Sequence, residues 1–129
     1  MGASVYQLKT RVHPLDKLKQ RKDFLRVAKG RRWATPGLVL QSAKRLEGDN
    51  TARIGYTASK KVGNAVKRNR AKRRLRALVK DVLLKNAREG FDYVLIARYT
   101  TPDRPYQALI EDLKLAMQKV HISPTQRAS

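Results

Sequence analysis

The run Arg53-Ile54-Gly55-Tyr56-Thr57-Ala58-Ser59-Lys60-Lys61-Val62-Gly63-Asn64-Ala65-Val66-Lys67-Arg68-Asn69-Arg70-Ala71-Lys72-Arg73-Arg74-Leu75-Arg76 carries a strand, a turn and half of a long helix in one stretch. Ile54-Gly55-Tyr56-Thr57 has strand composition, and Asn64 offers an N-cap, since its side-chain oxygen can accept one of the backbone N–H groups a helix start leaves unpaired. The spacing predicts a helix from there to about Asn86, closed by Gly90. At 100° per residue Leu75, Leu78, Val79 and Val82 share one side of it, while Val66, Asn69, Arg70, Arg73 and Lys80 share the other.

Toward the N-terminus, residues 1–14 lack periodicity and read as a mobile basic arm ended by Pro14. Leu15, Leu18, Leu25 and Ala28, with Phe24 nearby, predict a helix over Asp16–Lys29 with Gly30 as its C-cap. Trp33, Leu38-Val39-Leu40 and Ile54-Gly55-Tyr56-Thr57 then predict three strands. The turns between them, Thr35-Pro36-Gly37 and Glu47-Gly48-Asp49-Asn50, are short, so neighbouring strands are expected to pair antiparallel. Toward the C-terminus, Tyr93–Arg98 reads as a strand and Tyr106–Val120 as a helix through Leu109, Ile110, Leu113 and Met117. Tyr99 and Tyr106 read as packing residues, and residues 121–129 as a frayed tail. The order α-β-β-β-α-β-α predicts a single-domain α+β sandwich over residues 15–120, with helices packed on a small sheet.

Charge sets the class of partner. The 129 residues hold 30 Lys and Arg against 10 Asp and Glu, a formal charge of +20. Self-repulsion on that scale opposes compaction unless a polyanion offsets it. No acidic residue stands between Asp49 and Asp81, although ten of the cations lie within Lys60–Lys80. A solvated helix face normally mixes signs; this one points to nucleic acid. There is no cysteine, which removes disulfides, thiolate metal sites and Cys nucleophiles. The longest apolar run, Val94-Leu95-Ile96-Ala97, is far below the ~20 residues that cross a bilayer. The first residues lack a signal core, and Tyr6 stands where a myristoylation signal needs Ser or Thr. A cytoplasmic protein without a membrane partner is expected.

Catalysis by the chain itself is poorly provided for. His13 falls in the expected arm and His121 in the expected tail, and Glu111-Asp112 are adjacent on a helix and point apart. No phosphate-cradling glycine loop or metal-ligand spacing occurs. A helix-turn-helix DNA binder ranks low because no short helix joined by a tight turn precedes the basic helix. A ribosomal or general RNA-binding protein shares the composition and remains the alternative.

Ser59 to Arg76 closely resembles the Arg-Asn-Arg motif region of bacterial ribonuclease P proteins. Arg53–Ala58 looks like that family's preceding strand, Asp92–Arg98 like its final strand, and Arg21-Lys22-Asp23-Phe24 is similar to its first helix. The resemblance spans residues 15–120. It implies a mixed sheet with a left-handed β-α-β crossover, like the second domain of the fifth small-subunit ribosomal protein. It further implies an accessory subunit, one protein to one RNA, of an endoribonuclease whose catalytic RNA removes the 5′ leader of precursor tRNA. Mg²⁺ would serve that RNA-catalysed reaction, with no cofactor expected on the protein. Lys60, Lys61, Asn64, Lys67, Arg68, Asn69, Arg70, Lys72, Arg73 and Arg76 become candidates for the catalytic RNA, and Phe24, Trp33, Gln41 and Tyr56 for the leader. Gly63 would allow the RNA backbone to approach closely, with a plain turn as the alternative; core packing remains an open alternative for Phe24 and a structural role for Trp33. Ala28 stands where many relatives have a second aromatic, and Gln41 where some have Tyr.

Overall fold

The structure, a computed structural model, describes residues 15–46, 48 and 50–121. The expected arm, with His13, and all of the expected tail except His121 lie outside the described residues. The elements are β1 (Leu15–Lys17), α1 (Arg21–Ala28), β2 (Arg31–Ala34), β3 (Leu38–Lys44), β4 (Ala52–Thr57), α2 (Ala65–Leu78), α3 (Leu84–Asn86), β5 (Phe91–Ala97) and α4 (Tyr106–Val120). A 3₁₀ turn, Lys60–Val62, precedes α2, and a π-helical turn, Val79–Leu83, joins α2 to α3. Together these form one α+β domain on a mixed five-stranded sheet in the order β1-β4-β5-β3-β2.

Two expectations are corrected. The helix expected over Asp16–Lys29 is a strand followed by a shorter helix: Leu15–Lys17 pair parallel with Ala52–Ile54, and the Leu18 N–H donates to the Ile54 carbonyl at 2.9 Å. Three residues are too few for their period to separate strand from helix. Gln20 starts α1 without a side-chain cap, and the buried side of α1 is Phe24 with Val27, whereas Leu25 is 51% exposed. The antiparallel pairing expected of β3 with β4 is also absent. β5 lies between them, antiparallel to β3 and parallel to β4. Gly90, at φ +80°, sits in the gap: its carbonyl accepts the Arg45 N–H and its N–H donates to the Asn50 carbonyl, both at 2.7 Å. Parallel β4 and β5 need a crossover, and α2 supplies it.

Gly30 does not act as a left-handed cap. Lys29 closes α1 in the right-handed region, and a Cβ at residue 30 would lie 2.4 Å from the Ser42 carbonyl oxygen, so close backbone approach is what requires glycine there.

The sheet buries both faces unequally. On one, Leu38, Leu40, Ile54, Tyr93 and Leu95 meet Leu75, Leu78 and Val82 from α2 and its π turn, and Leu109, Leu113 and Met117 from α4. On the other, among the described residues, Leu18 from the segment after β1 and Phe24 and Val27 from α1 cover Val94, Ile96 and Ala43. The second layer is therefore thin, and much of that face is left half-buried.

Candidate nucleic-acid interface

The basic helix is held so that its charge faces water. Ser59 Oγ accepts the Lys61 N–H at 3.3 Å to start the 3₁₀ turn, and Asn64 Oδ1 accepts the Lys67 N–H at 2.9 Å to start α2. Between them Gly63, at φ +141°, takes a backbone conformation that costs other residues dearly, and the Arg68 guanidinium donates to its carbonyl at 2.8 Å. Ala71, Leu75 and Leu78 form the buried side of α2. Lys67, Asn69, Arg70, Lys72, Arg73 and Arg76 are exposed, as are Lys60, Lys61 and Asn64. Val66, 70% exposed, sits among them.

The cations divide by what they touch. Arg74 donates to the carbonyls of Thr101 (2.8 Å) and Pro102 (2.7 Å) and lies 5.9 Å from the centroid of the Tyr106 ring, so it locks α2 to the loop after β5. That loop is tied in turn to the β2–β3 turn: Thr101 Oγ1 donates to the Gly37 carbonyl at 2.6 Å, and the Arg98 guanidinium to the Thr35 carbonyl at 2.7 Å. Arg70 makes an exposed ion pair with Asp103 at 2.8 Å, which contributes little to stability. Lys67, Lys72, Arg73 and Arg76 pair with no carboxylate among the described residues. Arg74 is thus a fixed anchor and the others form the charged surface.

A second surface lies on the thinly covered sheet face. The Phe24 ring rests on Gly55, where a Cβ would come within 2.6 Å of its Cε1 and Cζ. Charge holds α1 in place. Fully buried Asp92 accepts two hydrogen bonds from Arg53, at 2.8 Å (Nε) and 2.7 Å (Nη2), and pairs with Arg26; Asp23 reaches Arg26 at 3.4 Å and Arg53 at 3.6 Å. The hydrogen bond to Asp92 raises the Arg53 pKa, so this cation stays charged at any working pH.

The four leader candidates do not share a face. Gln41, opposite Arg32 and Val94, belongs with Phe24. Trp33 and Tyr56 belong to the α2/α4 layer, where Lys119 Nζ sits 5.3 Å from the Trp33 ring centroid. Burial pushes the Tyr56 pKa up, while nearby Arg76 pulls it down.

Three further side chains are placed. Tyr106 packs as expected: its hydroxyl donates to Asp81 at 2.7 Å, and burial with that bond pushes its pKa up to about 12. Tyr99 does not pack; it is 71% exposed on the loop after β5. His121 is not part of a frayed tail but half-buried, its Nε2 2.8 Å from the Tyr93 hydroxyl and its ring edge-on to Phe91. Burial, then the charges of Arg88 and Arg31, lower its pKa to about 4.

Sequence reasoning missed Arg74 as an anchor and the network around Asp92. Their partners lie 27 to 66 residues away, where no local pattern reaches. Among the described residues no three His, Asp or Glu side chains gather as a metal site would require. No described helix is long and apolar enough to cross a membrane.

The "Ribonuclease P" family model matches residues 13–121. The ribonuclease P protein component of Paramagnetospirillum magneticum is 53% identical over 110 residues, covering 82% of this chain and 83% of that protein. Its counterpart in Ruegeria pomeroyi is 48% identical over 106 residues, covering 81% and 85%. Among solved structures, the RNase P protein of Staphylococcus aureus superposes with a TM-score of 0.67 at 30% identity, covering 82% of this chain and 95% of that one. That of Thermotoga maritima, at 24% identity, shares the fold with a TM-score of 0.66, covering 81% and 96%.

Proposed function

The chain belongs to the ribonuclease P protein family, bacterial proteins that work with an RNA subunit in tRNA processing, and from there we propose how it does so. The outer face of α2, with the turn before it, binds the catalytic RNA through phosphates. Arg70, Arg73 and Arg76 offer planar guanidinium groups suited to paired phosphate oxygens, and Lys60, Lys61, Lys67 and Lys72 act as point charges. Asn69 is placed to bond sugar or base edges, whereas the Asn64 side-chain oxygen is already used as the N-cap. The Phe24 face of the sheet, with Gln41, receives the 5′ leader of precursor tRNA, where an aromatic ring contributes ~1–3 kcal/mol per stacked base.

The observation that carries this reading is the split of α2: one side buried against the sheet, the other a row of exposed cations of which only Arg70, among the described residues, meets a carboxylate. Five of the six described aspartates support assigning the chemistry to RNA, because Asp23, Asp92, Asp103 and Asp112 are held in ion pairs with arginine and Asp81 by Tyr106. Mg²⁺ then belongs to the RNA, the complex is one protein to one RNA, and its setting is the cytoplasm. The test is cleavage of a precursor tRNA at physiological salt and low Mg²⁺ by the protein alone, a bacterial ribonuclease P RNA alone, and both. Efficient cleavage only with both establishes the accessory role; cleavage by the protein alone that survives nuclease treatment overturns it.

A further inference from the structure

A cavity of about 410 Å³ opens at the end of the sheet away from the start of α2, where β3 ends at Lys44 opposite the first residue of β5, Phe91. Its size falls in the range of small-molecule sites, roughly 300–1,000 Å³. Arg31 from β2, Lys44 from β3 and Arg88 from the segment before β5 line it, and no lining residue is acidic. Phe91 and His121 supply two aromatic rings, edge to face with centroids 5.0 Å apart. Ser42 also lines the cavity, and its hydroxyl is fully buried with no hydrogen-bond partner among the described residues.

The Tyr93 hydroxyl accepts the Arg88 backbone N–H at 2.8 Å and lies 2.8 Å from His121 Nε2, so it ties the imidazole to the segment before β5 through that ring nitrogen.

We propose that this cavity binds a nucleotide, its phosphate held by Arg31, Lys44 and Arg88 and its base set against Phe91. Three cations and two rings around one concavity match a ligand with an anionic end and a flat apolar end. The site is separate from the α2 surface and does not rest on the role given to that helix. Its nucleotide is either a free mononucleotide or the phosphorylated end of an RNA strand.

The experiment follows the His121 and Phe91 ring resonances of the full-length chain by NMR during titration with AMP, adenosine, inorganic phosphate and a 5′-phosphorylated pentanucleotide. Saturable shifts with AMP, at least tenfold weaker with adenosine or phosphate, are expected, together with a rise in the His121 pKa as the bound anion offsets Arg31 and Arg88. Arg88→Ala, at an exposed side chain, is expected to weaken AMP about tenfold, the effect of one lost charge-assisted contact. Lys67→Ala/Arg70→Ala/Arg73→Ala on α2 should leave it unchanged. Tighter binding of the pentanucleotide than AMP assigns the site to an RNA end, and the reverse to a free nucleotide. Absence of saturation at these rings, or equal binding of phosphate and AMP, overturns the proposal.

Discussion

Gly55→Ala tests whether the Phe24 ring is seated by the sheet as described. Gly55 lies in mid-strand at a φ that alanine adopts freely, so the substitution carries no backbone penalty; removing glycine from a strand interior should gain about 0.5–1 kcal/mol. Against that, the new methyl would stand 2.6 Å from two Phe24 ring carbons, and forcing an extra carbon into a packed site costs ~1–3 kcal/mol. In a Phe24→Ala background the obstacle is gone and only the gain remains. The glycine gain is common to both backgrounds and cancels, so a double-mutant cycle should give a coupling of about 1–3 kcal/mol, the overpacking cost alone. The remaining neighbour, Leu18 Cβ at 3.3 Å, is present in both backgrounds and largely cancels. Urea unfolding of the four proteins, with unchanged denaturant slopes, measures it. The same Gly55→Ala protein, its ring lifted from its seat, should bind precursor tRNA less well relative to mature tRNA. A Gly55→Ala cost equal in both backgrounds would show that Phe24 does not rest on the strand, and the leader face built on it would fall with that contact.

Replacing Lys67, Arg70 and Arg73 together by alanine should reduce the salt-dependence slope of catalytic-RNA binding by up to about 2.7, at ~0.9 per lost duplex phosphate contact; an unchanged slope refutes their assignment. Arg74→Ala should instead cost about 1.5–3 kcal/mol of stability through its two lost carbonyl bonds and leave that slope intact, and the opposite pattern would make Arg74 an RNA contact. Phe24→Ala should weaken precursor tRNA binding and spare mature tRNA, with equal loss on both counting against the leader face. His121, lowered from 6.5 to about 4, favours the neutral ring in the folded state. Its contribution to stability is complete above pH 6.5 and is lost as the pH falls toward 4, so His121→Phe should flatten the stability curve across that window, and an unaltered curve would mean the ring titrates normally.

Elements whose pattern is local were legible. The bounds Tyr106–Val120 were readable because Leu109, Leu113 and Met117 repeat on a face that is buried along its whole length. The two sides of α2 were legible for the same reason. β1 was not, because a three-residue strand exists only through its partner, Ala52–Ile54. Nor was the insertion of β5 between β3 and β4, since short turns favour neighbours and only a longer-range competition for the same strand edges reverses that. At the site, the sequence marks which residues are cationic but not which are already engaged: Arg74 and Arg73 are adjacent, and only the carbonyls of Thr101 and Pro102 distinguish them. That Trp33 and Tyr56 lie on the opposite sheet face from Phe24 and Gln41 was not legible, because a side chain's face depends on register and Arg31-Arg32-Trp33-Ala34 has no clean alternation to reveal it.

The chain order also sets how the two proposed RNA surfaces relate. Gly55 carries Phe24 on one face of β4; two residues on, Thr57 ends the strand; Lys60 and Lys61 follow in the 3₁₀ turn, and Asn64 starts the helix. The proposed seat of the leader and the start of the proposed RNA-binding helix are therefore separated by eight residues, of which Tyr56 and Thr57 belong to β4 and Lys60–Val62 to the 3₁₀ turn. α2 is fixed to the sheet by its buried side and to the loop after β5 by Arg74, and α1 is fixed to β4 and β5 by the ion pairs of Asp92. Removing either anchor would leave every proposed RNA-contacting side chain in place yet change the distance between the two surfaces. In the proposed assembly, loss of Arg74 should therefore act on cleavage more than on RNA affinity, which distinguishes a protein that positions the leader relative to the catalytic RNA from one that only adds positive charge.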